Sequence, residues 1–108
     1  MSDEMQDVAR FEVRQGDEPG VVASGELDVA TVPELKTALS DLIDRHPGTS
    51  VWVDMAGVSF IDSSGLGVLV GALKRARQRD GAVVVRNLSG APHKVFEITG
   101  LLEIFGVE

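Results

Sequence analysis

The sequence predicts an α/β fold: a mixed, mostly parallel sheet of about four to five strands, packed with about three helices and opened by an N-terminal β-hairpin. Three observations carry this. Apolar periodicity switches along the chain between two residues, the strand period, and 3.6 residues, the helix period. The two clearest helical stripes, Leu35 to Ile43 and Leu66 to Ala76, each lie between strand-like runs. Such alternation calls for crossover connections and parallel pairing. The first two strand-like runs, in contrast, are separated only by a short turn-rich segment, which suits antiparallel pairing.

Ala9 to Arg14 reads as the first strand, with Phe11 and Val13 alternating. Gln15-Gly16-Asp17-Glu18-Pro19-Gly20 is dense in turn formers. Val21-Val22-Ala23-Ser24-Gly25 is the second strand, and Gly25-Glu26-Leu27-Asp28 leads into a loop. Thr31-Val32-Pro33-Glu34 reads as a capping box, with Thr31 at the cap, Glu34 reaching back to it and Pro33 tolerated in the first turn. Leu35, Ala38, Leu39, Leu42 and Ile43 form the stripe of the first helix, which His46-Pro47-Gly48 stops.

Val51, Val53 and Met55 alternate with Trp52 and Asp54, the third strand, and Val58 to Ile61 reads as its exit. A second helix runs to about Gln78 on the stripe Leu66, Leu69, Val70, Leu73 and Ala76, ending at Arg79-Asp80-Gly81. Ala82-Val83-Val84-Val85 is a strand rich in β-branched residues. Pro92 to Thr99 is a short helix with Gly100 as its C-terminal cap, and Ile104 to Val107 is a last strand.

The chain has 108 residues, the size of one domain, and 44% of them are hydrophobic, enough for a packed core. We divide it into a flexible acidic N-terminal tail, 1–8, and one domain, 9–108. A net charge of −7 repels phosphate backbones and anionic lipid, which argues against direct nucleic-acid or membrane binding. With no cysteine there is no disulfide, thiolate nucleophile or Cys-type zinc site. The polar start Met1 to Asp7 lacks the basic and apolar regions of a signal peptide, and a cytoplasmic location is expected.

The most informative segment is Asp62-Ser63-Ser64-Gly65-Leu66-Gly67-Val68. It presents a serine pair where a strand ends and a helix begins, a place whose backbone N–H groups and partial positive charge tolerate a phosphate. The plain alternative is that Asp62 or Ser63 only caps the helix. On a helical wheel the apolar stripe leaves Ser64, Gly67, Gly71 and Gln78 on the opposite face, with Ser63 and Lys74 at its edge. Each exposed mid-helix glycine costs ~1 kcal/mol relative to alanine. Close approach of a partner's backbone would account for two of them; so would a tight internal contact.

Catalysis finds little support. A Gly-x-Ser-x-Gly elbow is absent, since Ile61 and Asp62 precede Ser63. His93 is the only general-base candidate, the spacing of Gly65, Gly67 and Gly71 is wrong for a dinucleotide fingerprint, and no Gly-Lys-Ser/Thr phosphate loop occurs. Scattered carboxylates and two distant histidines, His46 and His93, offer no metal cluster. A phosphoacceptor-aspartate receiver domain is the sharper rival, with Asp54 near the end of a third strand. It needs an acidic pair after the first strand, where Phe11 to Gly16 supplies only Glu12.

Ile61-Asp62-Ser63-Ser64-Gly65-Leu66-Gly67, with Gly25-Glu26-Leu27-Asp28 upstream and Val53-Asp54 between, resembles the STAS-domain anti-sigma factor antagonists from about Val21 to Phe105. The resemblance implies a non-enzymatic regulator without cofactor. Its unphosphorylated form would bind an anti-sigma factor with serine kinase activity and release the sigma factor. Phosphorylation of the serine after the aspartate, Ser63 here, would end binding, and a serine phosphatase would restore it. Ser64 is the adjacent decoy. Asp28 would lie beside Ser63 and help bind the partner, unless it is only a loop or capping carboxylate. The expected partner surface comprises Asp28, Asp62, Ser63, Ser64, Gly65, Gly67, Gly71 and Lys74. Many members continue past the last strand into another helix, which has no counterpart after Ile104-Phe105; oligomeric state and the cover of one sheet edge stay open. STAS domains also serve as non-phosphorylated scaffold or sensory-complex modules, the alternative reading.

Overall fold

The computed structural model describes residues 8–108, so the expected acidic tail lies outside the described residues except for Val8. The elements run β1 (Arg10–Arg14), β2 (Gly20–Leu27), α1 (Val32–Arg45), β3 (Ser50–Ile61), α2 (Ser63–Arg77), β4 (Ala82–Arg86), α3 (Gly90–Thr99), a 3-10 turn (Leu101–Glu103) and β5 (Gly106–Val107). The sheet order is β1-β2-β3-β4-β5. β1 and β2 form the antiparallel hairpin, and every later pair is parallel.

Strands in sequential order joined by crossovers of one hand place their helices on one face. The burial pattern agrees. Val21, Ala23, Val51, Val53, Val83 and Val85 share one buried cluster with Leu35, Leu39 and Leu42 of α1, Leu69 and Leu73 of α2, and Phe96 of α3. Alternate residues point the other way, and Val22, Trp52, Asp54, Val84 and Arg86 are only half-buried. Trp52 lies over Gly20, where any side chain would overlap its ring. Its indole N–H donates to the Glu18 carbonyl at 2.9 Å, and the Arg86 guanidinium stands 5.0 Å from the ring centre.

β3 is one strand of 12 residues, not a short strand with an exit. Its pairing with β2 shifts register twice, between Val22 and Ser24 and between Gly25 and Glu26. Each shift inserts an extra residue on β3, as a β-bulge does. The buried positions therefore run Val51, Val53, Met55, then Val58, then Ile61. Period-two alternation breaks although the strand does not. β2 likewise continues through Gly25, Glu26 and Leu27, which pair with Val58, Phe60 and Ile61, so the loop starts only at Asp28. Gly25 has φ +86°, and a Cβ there would lie 2.8 Å from the Ala9 backbone, so both conformation and space demand glycine.

The C-terminal strand is shorter than the expected Ile104 to Val107. Phe105 is buried instead, its ring 5.7 Å from that of Phe96 and tilted by 53°. Core burial diverts this residue, leaving Gly106 and Val107 to pair with Val84 and Val85. α3 starts at Gly90, two residues before the expected Pro92. Proline remains tolerable there because the first four helical N–H groups have no intrahelical acceptor. Gly100 ends α3 in the left-handed conformation, φ 78°, as expected of a C-terminal cap.

Candidate functional site

The site forms where the tips of β2 and β3 meet the start of α2. Ile61 is buried at the end of β3, and the Asp62 N–H donates to the Leu27 carbonyl at 3.1 Å, tying the two tips together. Asp62 then caps α2. Its Oδ1 accepts from the N–H groups of Ser64 at 2.8 Å and Gly65 at 3.1 Å, satisfying two orphan donors of the first turn. The capping role thus belongs to Asp62. Ser63, the first residue of α2, is exposed, and Ser64 is half-buried. Replacing Asp62 by alanine should lower unfolding free energy by about 0.5–2 kcal/mol, with Asp62→Asn restoring most of it. Urea denaturation measures this, and an alanine variant as stable as the parent would refute the capping assignment.

Gly65, one of the residues of the expected partner surface, is buried. A Cβ at Gly65 would lie 2.6 Å from Ile61 Cγ1 and 3.1 Å from the Leu27 carbonyl oxygen. Its small size lets α2 seat on the strand tips, so it shapes the site from within. Gly67 and Gly71 are different: both are exposed, and a Cβ at either would meet nothing within 4 Å. Lys74 is exposed farther along the helix.

The Asp28 loop stands beside this junction, joined through its neighbour Leu27. Asp28 Oδ1 accepts from the N–H groups of Ala30 at 3.0 Å and Thr31 at 3.2 Å, while its carbonyl accepts from Val32 N–H at 2.9 Å. The expected capping box is absent: Thr31 makes no side-chain cap bond. Its hydroxyl donates to the Glu26 carbonyl at 2.9 Å and accepts from the Asp28 N–H at 3.0 Å, so it braces the loop. Val29, at the loop tip, is 73% exposed.

The buried stripe of α2 is Leu69, Ala72, Leu73 and Ala76, with Leu66 and Val70 only half-buried at its margins. Packing against α1 as well as the sheet rotates the buried face toward Ala72. Where α1 and α2 run side by side, Arg75 donates two hydrogen bonds to Asp44, at 2.9 Å and 2.6 Å, and Arg79 forms an ion pair with the same carboxylate at 3.0 Å. The hydrogen bond from Arg75 holds the Asp44 carboxyl below the usual carboxylate range. Between the helices lies an open groove of about 360 Å³, lined among others by Lys36, Ser40, Ser64, Gly67, Gly71 and Arg75. The α1 side of this groove escaped the reading of the sequence. Its one signal is that Lys36 and Ser40, four apart, share a helix face.

Asp54, the aspartate of the receiver reading, sits on the half-open sheet face. Its oxygens accept from the Ala56 N–H at 2.9 Å and the Asn87 side-chain amide at 3.1 Å, a structural employment at the first bulge. Among the described residues no group of three or more His, Cys, Asp or Glu could hold a metal ion. Among them, too, no helix is long and apolar enough to cross a membrane.

Known proteins share both sequence and fold with this chain. The STAS domain model matches residues 11–108. The anti-sigma-B factor antagonist of Listeria monocytogenes is 39% identical over 95 residues, which is 88% of this chain and 82% of that protein. An anti-sigma factor antagonist from Mycobacterium paratuberculosis superposes with a TM-score of 0.82 at 25% identity, covering 94% of this chain and 86% of that one. The anti-sigma factor antagonist SpoIIAA of Bacillus, 27% identical, superposes in its unphosphorylated form with a TM-score of 0.75 and in its phosphorylated form with 0.68. Those two comparisons cover 92% of this chain each, and 88% and 91% of the SpoIIAA chains. With the serine-bearing junction and the five-stranded sheet in place, this rules out the receiver reading: the chain belongs to the STAS-domain anti-sigma factor antagonist family, whose members are regulators rather than enzymes.

Proposed function

We propose that the unmodified protein binds an anti-sigma factor that is also a serine kinase, freeing its sigma factor in the cytoplasm, and that phosphate on Ser63 ends the complex. The observation that carries this is the setting of Ser63. Its hydroxyl is exposed at the first position of α2, beside a carboxylate already committed to capping. A kinase can reach it without unfolding the helix. SpoIIAA, of the same family and fold, exists in unphosphorylated and phosphorylated forms. The partner surface consists of Asp28, Asp62, Ser63, Ser64, Gly67, Gly71 and Lys74, with buried Gly65 shaping it from within. The kinase brings its own ATP, and a separate serine phosphatase resets the switch.

The test uses a serine-kinase anti-sigma factor recovered by pull-down with the unphosphorylated protein. With ATP it should place one phosphate on Ser63, mapped by mass spectrometry. Ser63→Ala should take none, and Ser64→Ala should still take one. Phosphate found on Ser64 alone would overturn the assignment.

A further inference from the structure

We infer that β1 is a dimer contact: it pairs antiparallel with β1 of a second copy of this chain, about a twofold axis at Phe11. This does not depend on the proposed function. β1 ends the sheet on one side, and among the described residues nothing pairs with its outer edge. The opposite edge, β5, has only two residues. β1 offers five, none of them proline. Such a row of unpaired N–H and C=O groups is a template for another strand. The identity of the occupant is argued from charge. Arg10, Glu12 and Arg14 lie on one face of β1, all exposed, and their signs run plus, minus, plus. A row of alternating sign is complementary to a copy of itself in the right register, as a twofold contact requires.

Registers that keep the charged row on one face of the joined sheet centre on Glu12, Val13 or Phe11. Centred on Glu12, Arg10 faces Arg14 and Glu12 faces itself, and like charges directly opposite are destabilising. Centred on Val13, Glu12 faces Arg14, but the pairing then runs into Gln15 and Gly16. There Gln15 is bonded to His46 at 3.0 Å, and Gly16 turns the chain at φ +101°. Centred on Phe11, Arg10 of each copy faces Glu12 of the other. Arg10 has no ion pair among the described residues, whereas Arg14 already pairs with Glu12 on its own strand. Half-buried Phe11 then meets its own copy, and Val13, 41% exposed, meets Ala9. An aromatic cross-strand pair adds to the contact. The helices leave room. Opposed residues of antiparallel strands point to the same face, so both copies keep their helices on one side. α1 packs over β1, β2 and β3. Centred on β2, it stands about three strand spacings, roughly 14 Å, from the second α1, against a helix width of ~10–12 Å. The twofold turns the second copy end for end, so the two Ser63 sites lie at opposite ends of the joined sheet and both stay open.

The experiment measures the mass of the unmodified full chain by sedimentation equilibrium from about 1 µM to about 1 mM, a range suited to a small, transient interface. The parent should pass from monomer to dimer across it. Arg10→Glu and Glu12→Arg each place two like-charge contacts in the seam and should weaken association about tenfold. The double variant Arg10→Glu/Glu12→Arg exchanges the two signs and should recover most of that loss. Arg14→Glu faces Val8 in this register and should associate like the parent. These side chains are exposed, so all variants should melt like the parent. A parent that stays monomeric at about 1 mM would overturn the inference and leave the edge to a strand of another protein. So would parent-like association in both single variants, or a double variant no better than the singles. A loss in Arg14→Glu as large as that in Arg10→Glu would overturn the pairing about Phe11.

Discussion

Phosphate on Ser63 is expected to weaken binding of the anti-sigma partner by at least about a hundredfold, close to 2.8 kcal/mol, while moving the melting temperature only a few degrees. The modification adds about −1.5 to −2 charges at pH 7. On the fold itself two effects nearly cancel. Negative charge at a helix N-terminus gains ~0.3–1 kcal/mol when exposed. Against that, the N–H groups of Ser64 and Gly65 are already bonded to Asp62, so the phosphate cannot take them without displacing the cap. The Asp62 carboxylate also repels it, weakly and in a salt-screened manner. On the partner nothing cancels, because a bulky dianion stands at the mouth of a surface built for close approach. Ser63→Asp should reproduce part of the loss, and Ser63→Ala should keep binding. Thermal melts and binding titrations of the two phosphorylation states at one ionic strength decide the matter. Melting of the domain on phosphorylation, or unchanged affinity, would refute a switch that acts at the surface.

The largest stability effect is expected at Phe96. It is fully buried in α3, within the shared cluster and against Phe105. Phe96→Ala should cost about 3–5 kcal/mol, combining lost transfer energy with the cavity left behind. Against a typical domain stability of roughly 5–15 kcal/mol, that is a large share. Phe96→Leu, nearer in volume, should cost under about 1.5 kcal/mol if the ring pair contributes little beyond its area. Denaturant unfolding of both variants measures this. A loss under about 1 kcal/mol for Phe96→Ala would mean that α3 and the Leu101–Phe105 segment are not docked as described.

What could be read from the sequence was local. The stripe Leu35, Leu39, Leu42 and Ile43 of α1, the β-branched run of β4 and the Gly100 cap each depend on neighbours within a turn or two. So does the serine pair at a strand-to-helix junction. What was misread depended on distant partners. Thr31 and Glu34 have the letters of a capping box, but Thr31 finds the Glu26 carbonyl and Asp28 takes the N–H groups. The three glycines of α2 look alike in sequence, yet Ile61 and Leu27 lie against Gly65 while Gly67 and Gly71 face open space.

By itself, then, the sequence determined the element types, the antiparallel opening followed by crossovers, and the position of Ser63 at the head of a helix. Hydrophobic period, turn chemistry and capping residues act over a few positions, and that is the range a single chain displays. The tertiary structure alone decided the rest. Bulges make β3 one strand, because register is set by pairing with β2 rather than by β3's own alternation. Phe105 leaves the sheet edge, because burial against Phe96 outweighs two more strand pairs. The groove lies between α1 and α2, which a shared apolar core brings together and which Asp44 and Arg75, 31 positions apart, bridge at the surface. The sequence of α1 marks Lys36 and Ser40 as sharing a face, but which helix lies opposite that face is decided only by the tertiary packing.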